Sequence, residues 1–358
     1  MRVGIIGAGS IAFATAALLE QLGHQAKLWS PSGNRTRQLE FGEPLVSTGA
    51  IVGQFHPTIA VSAQDLADNG EVLFVALPAY GHKAVLDQIT PHIRDSQTII
   101  FSSHASFGAA YLSQLSSERG KSPLIVAWGT TVVSSRQLSL TEVSVSTIRK
   151  QIDIATIPFG RSAEGLEICR KLFGDRFVDR GNLLAIALSN LNPQNHLGIA
   201  LGNMTRMERG ETWSQSQNVT PNIGRLLEQL DRERIAIAES LGLQVRTIYE
   251  HFHLSFHVPV GTISEMNQTM HAAGNGGSGP TTAESRYVLE DVPFGLVMTA
   301  KLGRLTGRPA KLHEAGVEIF SAMYGRDFAL ENDLLNALSI DEITLEKLQQ
   351  LCVGQKPH

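Results

Sequence analysis

The sequence predicts an α/β protein, with a doubly wound parallel sheet in its N-terminal half and an all-α domain after it. In the first half, strand-like apolar runs alternate with segments of helical periodicity, beginning with residues 2–7 and 10–22. From about residue 182 onwards, strand signals nearly vanish and helical periodicity dominates. The predicted domains are therefore residues 1–180 and residues 181–358.

The remaining elements follow from the same patterns. Strands are predicted at residues 25–29, 71–77, 98–102 and 123–128. Helices are predicted at residues 82–93, 162–173, 182–207, 220–241, 293–305 and 312–323. Residues 143–147 and 151–157 predict either a hairpin or an addition to the sheet edge. The glycine-rich stretch 271–280 is predicted to be a mobile loop or lid from its composition alone.

Composition excludes several classes of function. A net charge of -4 argues against non-specific nucleic-acid binding. No apolar run reaches the ~20 residues that a membrane span needs. The first strand begins almost at the initiator Met, which predicts no secretory leader. The two cysteines, Cys169 and Cys352, are predicted to be buried and reduced, so a cytoplasmic location is expected.

A glycine motif follows the first predicted strand. Gly7 permits a tight turn, Gly9 lets the backbone approach a pyrophosphate, and the small Ala12 lets helix and strand pack closely. The helix that begins here offers free N–H groups to phosphate. A purely structural turn is the alternative. The position between a strand and an Ala-rich helix favours a Rossmann-like domain in which Gly7, Gly9, Ser10 and Ile11 bind a dinucleotide.

The end of the second strand bears on cofactor choice. Ser30 stands where a domain that prefers NAD usually has a carboxylate, and Ser32, Asn34, Arg35 and Arg37 follow it. Hydroxyls and a guanidinium can bind a 2′-phosphate that a carboxylate would repel. We therefore predict NADP(H) as the preferred cofactor and leave NAD(H) open. The alternative is that the arginines only solvate a loop.

A third predicted cofactor contact lies where residues 71–77 end. Ligands of open α/β sheets bind beyond the carboxyl ends of the strands. Leu77 and Pro78, followed by Tyr80, are therefore predicted to lie near the ribose or the nicotinamide. A proline-initiated turn explains the same residues equally well.

The helical half carries two polar segments that are candidates for chemistry. Hydride transfer to a C=O or C=N group needs a group that handles protons and a cation that holds a substrate acid. In residues 189–203, Asn192, His196 and Asn203 interrupt an apolar helical stretch, and the last two share a face if the segment is helical. Histidine exchanges protons near neutral pH. A structural histidine is the alternative.

The second polar segment contains Arg286, Tyr287 and Asp291. Arg286 and Asp291 are five residues apart, which is awkward for one helix face, but they could converge across a break before Pro293. A surface charge cluster is the alternative. His251, His253 and His257 form a separate cluster. We expect them to line an entrance or a surface, and we predict no metal site.

Together these segments resemble the opine dehydrogenase family, which pairs a Rossmann domain with a helical domain. The resemblance rests on residues 190–196, 227–234 and 286–292, in the family's order along the chain. Residues 29–35 are similar to the opine synthases of plant-tumour bacteria, which supports NADPH.

The resemblance implies a reaction and a role for each candidate. An amino acid condenses with an α-keto acid, such as pyruvate or 2-oxoglutarate, and NAD(P)H reduces the imine to an opine. The resemblance makes His196 the acid/base and Asp291 the residue that orients it, while Arg286 binds a substrate carboxylate. We also expect substrate contacts, and these are predicted at Thr131, Asn192, Asn203 and Tyr287. The active site is expected in a cleft between the domains, and a homodimer is left open.

The sequence also departs from the family pattern. Leu197 replaces a frequent proline, and the C-terminal end after residues 324–327 matches weakly. Trp128 replaces an acid before Thr130 and Thr131, which could change the amino-acid substrate.

Two other functions remain open at this stage. One is an NADP-dependent keto-acid reductase related to ketopantoate reductase, although those enzymes usually rely on a Lys acting with a Glu. The other is a non-catalytic NADP-binding redox sensor. The set His196, Arg286 and Asp291 favours the opine reaction over both.

Overall fold

A computed structural model describes residues 1–354, which form two compact units. The first unit comprises Met1–Ala187 together with the C-terminal segment from Glu346, and the second comprises Leu188–Leu345. The compact units differ from the predicted ranges 1–180 and 181–358 at two points. The division follows Ala187, and the last segment of the chain returns to the first unit.

The first unit is built on strands. In chain order these are β1 (Arg2–Ile6), β2 (Gln25–Trp29), β3 (Leu45–Gly49), β4 (Gly53–Phe55), β5 (Thr58–Ile59), β6 (Val72–Val75), β7 (Thr98–Phe101), β8 (Leu124–Trp128), β9 (Val133–Gln137), β10 (Glu142–Ile148), β11 (Ile152–Ile157) and β12 (Phe177–Asp179). The helices between them are α1 (Ser10–Gln21), α2 (Arg37–Glu40), α3 (Ala63–Asn69), α4 (His82–Ile89), α5 (Gly108–Glu118) and α6 (Ser162–Phe173).

The main sheet has the order β12-β11-β8-β7-β6-β1-β2-β5. From β8 to β5 every neighbouring pair is parallel. This confirms the predicted doubly wound sheet, whose strands are apolar because helices cover both faces. Of the two alternatives for residues 143–147 and 151–157, the hairpin is wrong, and the addition near the sheet edge is confirmed for residues 151–157. β11 joins the main sheet antiparallel to β8, whereas β10 belongs to a different sheet.

A second, smaller sheet has the order β4-β3-β10-β9 and packs on α1. The sequence analysis missed most of it because β3, β4 and β9 are short and rich in Ser, Thr, Gly and Gln. Apart from Thr, these residues are not typical of strands, and burial against α1 overrides their weak preference.

The second unit confirms the predicted all-α domain. Helix α7 (Leu183–Ser189) leads into it, and its helices are α8 (Asn192–Glu208), α9 (Pro221–Ser240), α10 (Ile248–Phe256), α11 (Ile263–Ala272), α12 (Arg286–Leu289), α13 (Val297–Leu305), α14 (Lys311–Tyr324) and α15 (Asp333–Ala337). A π-helical turn, Val292–Leu296, precedes α13, and α16 (Leu345–Val353) ends the described chain. None of the helices within residues 1–354 is long and apolar enough to cross a membrane.

The glycine-rich stretch 271–280 is a loop after α11, but it is not free. The N–H of Ser216 donates to the carbonyl of Gly276, and the N–H of Gly279 donates to the carbonyl of Trp213, both at 3.0 Å. The indole Nε1 of Trp213 donates to the carbonyl of Pro280 at 3.0 Å. The expectation of a mobile lid, drawn from composition, is therefore corrected, because these hydrogen bonds fix the loop.

Helix α8 is held by close contacts with later parts of the second unit. A Cβ atom on Gly295 would lie 2.2 Å from Cγ of Pro193, and one on Gly316 would lie 2.1 Å from Cδ1 of Leu197. Leu197, which replaces the family's proline, is thus a buried packing residue. The absence of side chains at these glycines lets the backbone of the π-helical turn and of α14 approach α8 closely.

Gly295→Ala should destabilise the protein by about 1–3 kcal/mol, because the proline ring cannot move aside without shifting α8. Gly160→Ala is the matched control, since nothing lies within 4 Å of a Cβ built there. The measurement is urea denaturation of both variants. Equal unfolding midpoints would contradict the close contact between Gly295 and Pro193.

Candidate active site

The glycine motif forms a tight turn at the carboxyl end of β1. Gly7 has a φ of 135°, and its N–H donates to the carbonyl of Trp29 at 2.8 Å. A Cβ atom here would lie 2.4 Å from the carbonyl oxygen of Ala76, so only glycine fits. Nothing lies within 4 Å of a Cβ built on Gly9, and α1 begins at Ser10 without a side-chain cap. The first N–H groups of α1, including that of Ile11, are therefore available to a phosphate.

The residues predicted to choose between the cofactors lie in one loop beyond β2. The N–H of Gly33 donates to the carbonyl of Ser30 at 3.0 Å, which closes a turn around Ser32. Asn34 and Arg35 follow, both exposed, and Nη2 of Arg35 donates to Oε1 of Gln137 at 2.9 Å. The loop adjoins the glycine motif because β1 and β2 are parallel neighbours.

Leu77 and Pro78 lie beyond the carboxyl end of β6, next to β1. A histidine that the sequence analysis missed fixes this segment. Nε2 of His82, a fully buried ring, donates to the carbonyl of Leu77 at 3.0 Å. Burial lowers the pKa of His82 to about 4, so the imidazole is neutral.

A second buried histidine, His104, follows β7. Neither of its ring nitrogens has a hydrogen-bond partner among residues 1–354, and burial lowers its pKa to about 3. Its neighbour in the loop, Ser103, has a positive φ of 72°, which L-residues seldom adopt. His82 stands at the start of a predicted helix and His104 among small polar residues, and no pattern at either position indicates burial.

In the helical unit, His196 and Asp291 form a buried pair. Nδ1 of His196 donates to Oδ2 of Asp291 at 2.6 Å, across 95 residues of sequence. The Tyr287 ring stacks on the imidazole with centroids 3.5 Å apart and an interplanar angle of 10°. Its hydroxyl donates to Oε1 of Gln215 at 2.5 Å. Burial raises the pKa of Tyr287, so the phenol remains a neutral donor.

This geometry suits proton transfer. A carboxylate on Nδ1 fixes the tautomer of the imidazole and leaves Nε2 for exchange. Within the described part of the helical unit, Nε2 of His196 has no hydrogen-bond partner, and 11% of the side chain is exposed. The pair can therefore take up a proton on the exposed side and stabilise the resulting imidazolium.

The break predicted before Pro293 explains how Asp291 reaches the histidine. Asp291 lies between α12 and the π-helical turn, a local irregularity often found at functional sites. Arg286 pairs with Glu290 rather than with Asp291. The Arg286 side chain is 60% exposed, and its Nε lies 3.3 Å from Oε2 of Glu290.

The predicted substrate contacts have local partners. The N–H of Asn192 donates to Oδ1 of Asn190 at 3.1 Å, and Nδ2 of the buried Asn203 donates to the carbonyl of Ile199 at 2.9 Å. In the first unit, Oγ1 of Thr131 donates to the carbonyl of Val133 at 2.6 Å. The structure brings Tyr287 together with His196 and Asp291 but not with the other predicted contacts, and substrate binding by all of them remains a prediction.

Trp128 is a core residue. Its side chain is buried against Phe74 and Phe173, and its Nε1 donates to Sγ of Cys169 at 3.4 Å. The indole points into the core of the first unit and offers no group to a substrate, and a change of amino-acid substrate through loss of the acid remains a prediction. Cys169 and Cys352 are both buried and unpaired, as predicted.

The histidine cluster lies at the end of α10. Nδ1 of His253 donates to the carbonyl of Val258 at 2.8 Å, and His257 is exposed with a left-handed backbone. Among residues 1–354 no group of three or more His, Cys, Asp or Glu is arranged to hold a metal ion.

Each of the two units contains a segment that matches the model of a known protein family. A family model described as the α-helical domain of NAD/NADP octopine/nopaline dehydrogenase matches residues 179–324. Another, described as coenzyme F420-dependent NADP oxidoreductase, matches residues 2–103. An opine dehydrogenase of Arthrobacter sp. (strain 1C) is 28% identical, covering 95% of each chain. The vitopine synthase of Allorhizobium ampelinum is 22% identical, covering 92% of this chain and 95% of its own.

Solved structures agree on the fold. Octopine dehydrogenase with NADH and L-arginine gives a TM-score of 0.81 at 16% identity, covering 100% of this chain and 99% of that one. NADP+-bound yersinopine dehydrogenase gives a TM-score of 0.72 at 15% identity, covering 99% of each chain. A ketopantoate reductase from Ralstonia eutropha is more distant, with a TM-score of 0.62 at 13% identity, covering 91% of this chain and 99% of that one.

The fold and the glycine motif define an oxidoreductase that binds a pyridine nucleotide. The predicted resemblance to the opine dehydrogenase family is confirmed: residues 179–324 match its helical-domain model, and 95% of the chain aligns with an opine dehydrogenase.

The buried histidines should make the protein sensitive to acid. The unfolded chain takes up protons below the ordinary histidine pKa of 6.5, whereas folded His82 does so only near 4. In that window the unfolded state binds more protons, so stability falls as the pH falls. The variant His104→Phe lacks one of these buried neutral histidines. We therefore expect its free energy of unfolding to fall less than that of the wild type when the pH is lowered from about 7.5 to about 5.

The measurement is the urea midpoint at each pH. His56→Phe is the control, because His56 is an exposed histidine of the same unit. An unchanged pH dependence in His104→Phe would contradict the assignment of a buried neutral imidazole.

Proposed function

We propose that this protein is an NADP(H)-dependent opine dehydrogenase, an enzyme that acts on a CH–NH group. It joins an amino acid to an α-keto acid and reduces the resulting imine to a secondary amine dicarboxylate. The observation that carries the proposal is the His196–Asp291 hydrogen bond of 2.6 Å, buried in a helical domain of this family. Arginine and pyruvate are named with octopine dehydrogenase structures, which supports this substrate class.

His196 acts as the general acid/base. The neutral amine attacks the keto carbon, and Nε2 of His196 passes the protons that the nitrogen releases to the oxygen, which leaves as water when the imine forms. NADPH, when bound, supplies the hydride that the imine carbon accepts. Asp291 stabilises the imidazolium and keeps its orientation. Tyr287 stacks on the ring and limits its rotation.

The exposed Arg286 suits a substrate carboxylate. Its guanidinium is only loosely paired, at 3.3 Å from Glu290, and can form the bidentate contact that a carboxylate favours. Asn192, Asn203 and Thr131 remain proposed contacts to the rest of the substrate.

The preference for NADP(H) over NAD(H) is part of the proposal. It is supported by Ser30, which offers no carboxylate to repel a 2′-phosphate, and by Arg35 in the same loop. The NADP+-bound yersinopine dehydrogenase shows that a related fold accepts this cofactor. A cytoplasmic location and a homodimer remain predictions.

NADPH oxidation should require an α-keto acid and an amino acid together. The measurement is the loss of NADPH absorbance across a matrix of keto acids and amino acids, with mass spectrometry of the product. Oxidation with a keto acid alone would favour the reductase related to ketopantoate reductase. Tight NADPH binding without oxidation across the matrix would favour the redox sensor.

In the same assay, His196→Ala should lower turnover at least about a hundredfold while NADPH affinity stays unchanged. His257→Asn is the matched control, since asparagine tolerates the left-handed backbone of this exposed histidine. Normal turnover in His196→Ala would refute the role of His196.

A further inference from the structure

Arg35 is linked to a residue far away in sequence. Its Nη2 donates to Oε1 of Gln137, 102 residues later and at the end of β9 in the second sheet. Arginine on an exposed loop has many rotamers, and one fixed hydrogen bond reduces them. Gln137 therefore directs the guanidinium.

Two buried polar atoms on β9 lie unpaired beside this contact. Nε2 of Gln137 and Oγ of Ser135 have no hydrogen-bond partner among the described residues. Leaving buried polar atoms without partners costs free energy, and each such atom calls for an explanation. Oε1 of Gln137 accepts the hydrogen bond from Arg35, so the N–H groups on Nε2 are the part of the amide that remains without a partner.

The register of the second sheet shows which way these side chains face. Gln137 pairs with Val143 and Ser135 pairs with Val145, and paired residues of antiparallel strands share a face. Both valines are buried in the same core cluster as Phe13 of α1. Gln137 and Ser135 therefore face α1, the helix that begins at the glycine motif.

From this we infer that Gln137 and Ser135 belong to the site that recognises the 2′-phosphate of the cofactor, with Gln137 as the positioning residue for Arg35. The inference rests on the proposed preference for NADP(H) and extends it to a sheet outside the parallel dinucleotide fold. Both atoms are closed to solvent, so the exposed loop that carries Arg35 must move aside for a phosphate oxygen, or a water bound to it, to supply the partner that Nε2 and Oγ lack. NAD(H) has no 2′-phosphate and leaves these donors without a partner. The difference in hydrogen bonding favours the binding of NADP(H) over that of NAD(H).

The test measures the binding of adenosine 2′,5′-bisphosphate and of 5′-AMP to the full chain by calorimetry. These probes differ only in the 2′-phosphate and do not depend on turnover. Gln137→Met should weaken the bisphosphate about tenfold, as expected for losing a hydrogen bond to a charged group, and 5′-AMP by less than about twofold. Ser135→Ala should show a smaller loss in the same direction.

Arg136→Met is the matched control. Arg136 is the exposed neighbour of Gln137 on the opposite face of β9, so losing its charge tests general attraction to phosphate. An equal loss in Arg136→Met and Gln137→Met would overturn the inference. If Gln137→Met does not fold, Gln137→Glu keeps the size and the acceptor for Arg35 but repels the phosphate, and an unchanged binding ratio would overturn the inference.

The two proposals fail differently. If the wild type binds both probes equally, the NADP(H) preference falls and the inference with it. If the wild type prefers the bisphosphate and Gln137→Met keeps that preference, only the inference falls.

Discussion

The hydrogen bond between Nδ1 of His196 and Asp291 is the interaction on which the proposed chemistry depends. Both residues are largely buried, and a buried carboxylate is costly unless it is paired. The imidazole supplies that pairing, and in return the carboxylate fixes its tautomer. Tyr287 covers one ring face and is itself held by Gln215. A group able to exchange protons is therefore held in one orientation before any substrate binds.

The helical unit is arranged around this pair. Asp291 reaches the histidine because the helix breaks between α12 and the π-helical turn. Gly295, one turn later, lets that segment lie against Pro193 at the start of α8. The contact between Gly295 and Pro193 and the hydrogen bond between Asp291 and His196 therefore join the same two segments, the start of α8 and the break before α13. A change in backbone packing here should therefore disturb the His196–Asp291 pair as well as the stability of the unit.

Much of this could be predicted from the sequence, for physical reasons. Buried parallel strands such as residues 72–75 are continuous apolar runs, and Gly7 stands where only glycine fits. His196 stood out because polar residues are costly within an apolar helical stretch, whereas the role of Asp291 came from the resemblance of residues 286–292. The stacking of Tyr287, by contrast, is a contact between separate helices that no local pattern encodes. The polar strand β9 and the buried His82 were missed because burial there is decided by α1 and by β7, far away in sequence.

The most direct test of this account is the protonation of the His196 ring, observed by 15N NMR of protein labelled at histidine. Above neutral pH the account predicts a proton on Nδ1, with a downfield signal typical of a short hydrogen bond, and an unprotonated Nε2. It also predicts that Asp291→Asn alters this signal and leaves those of His253 and His257 in place. A neutral ring that carries its proton on Nε2, or a His196 signal that ignores Asp291, would contradict the account.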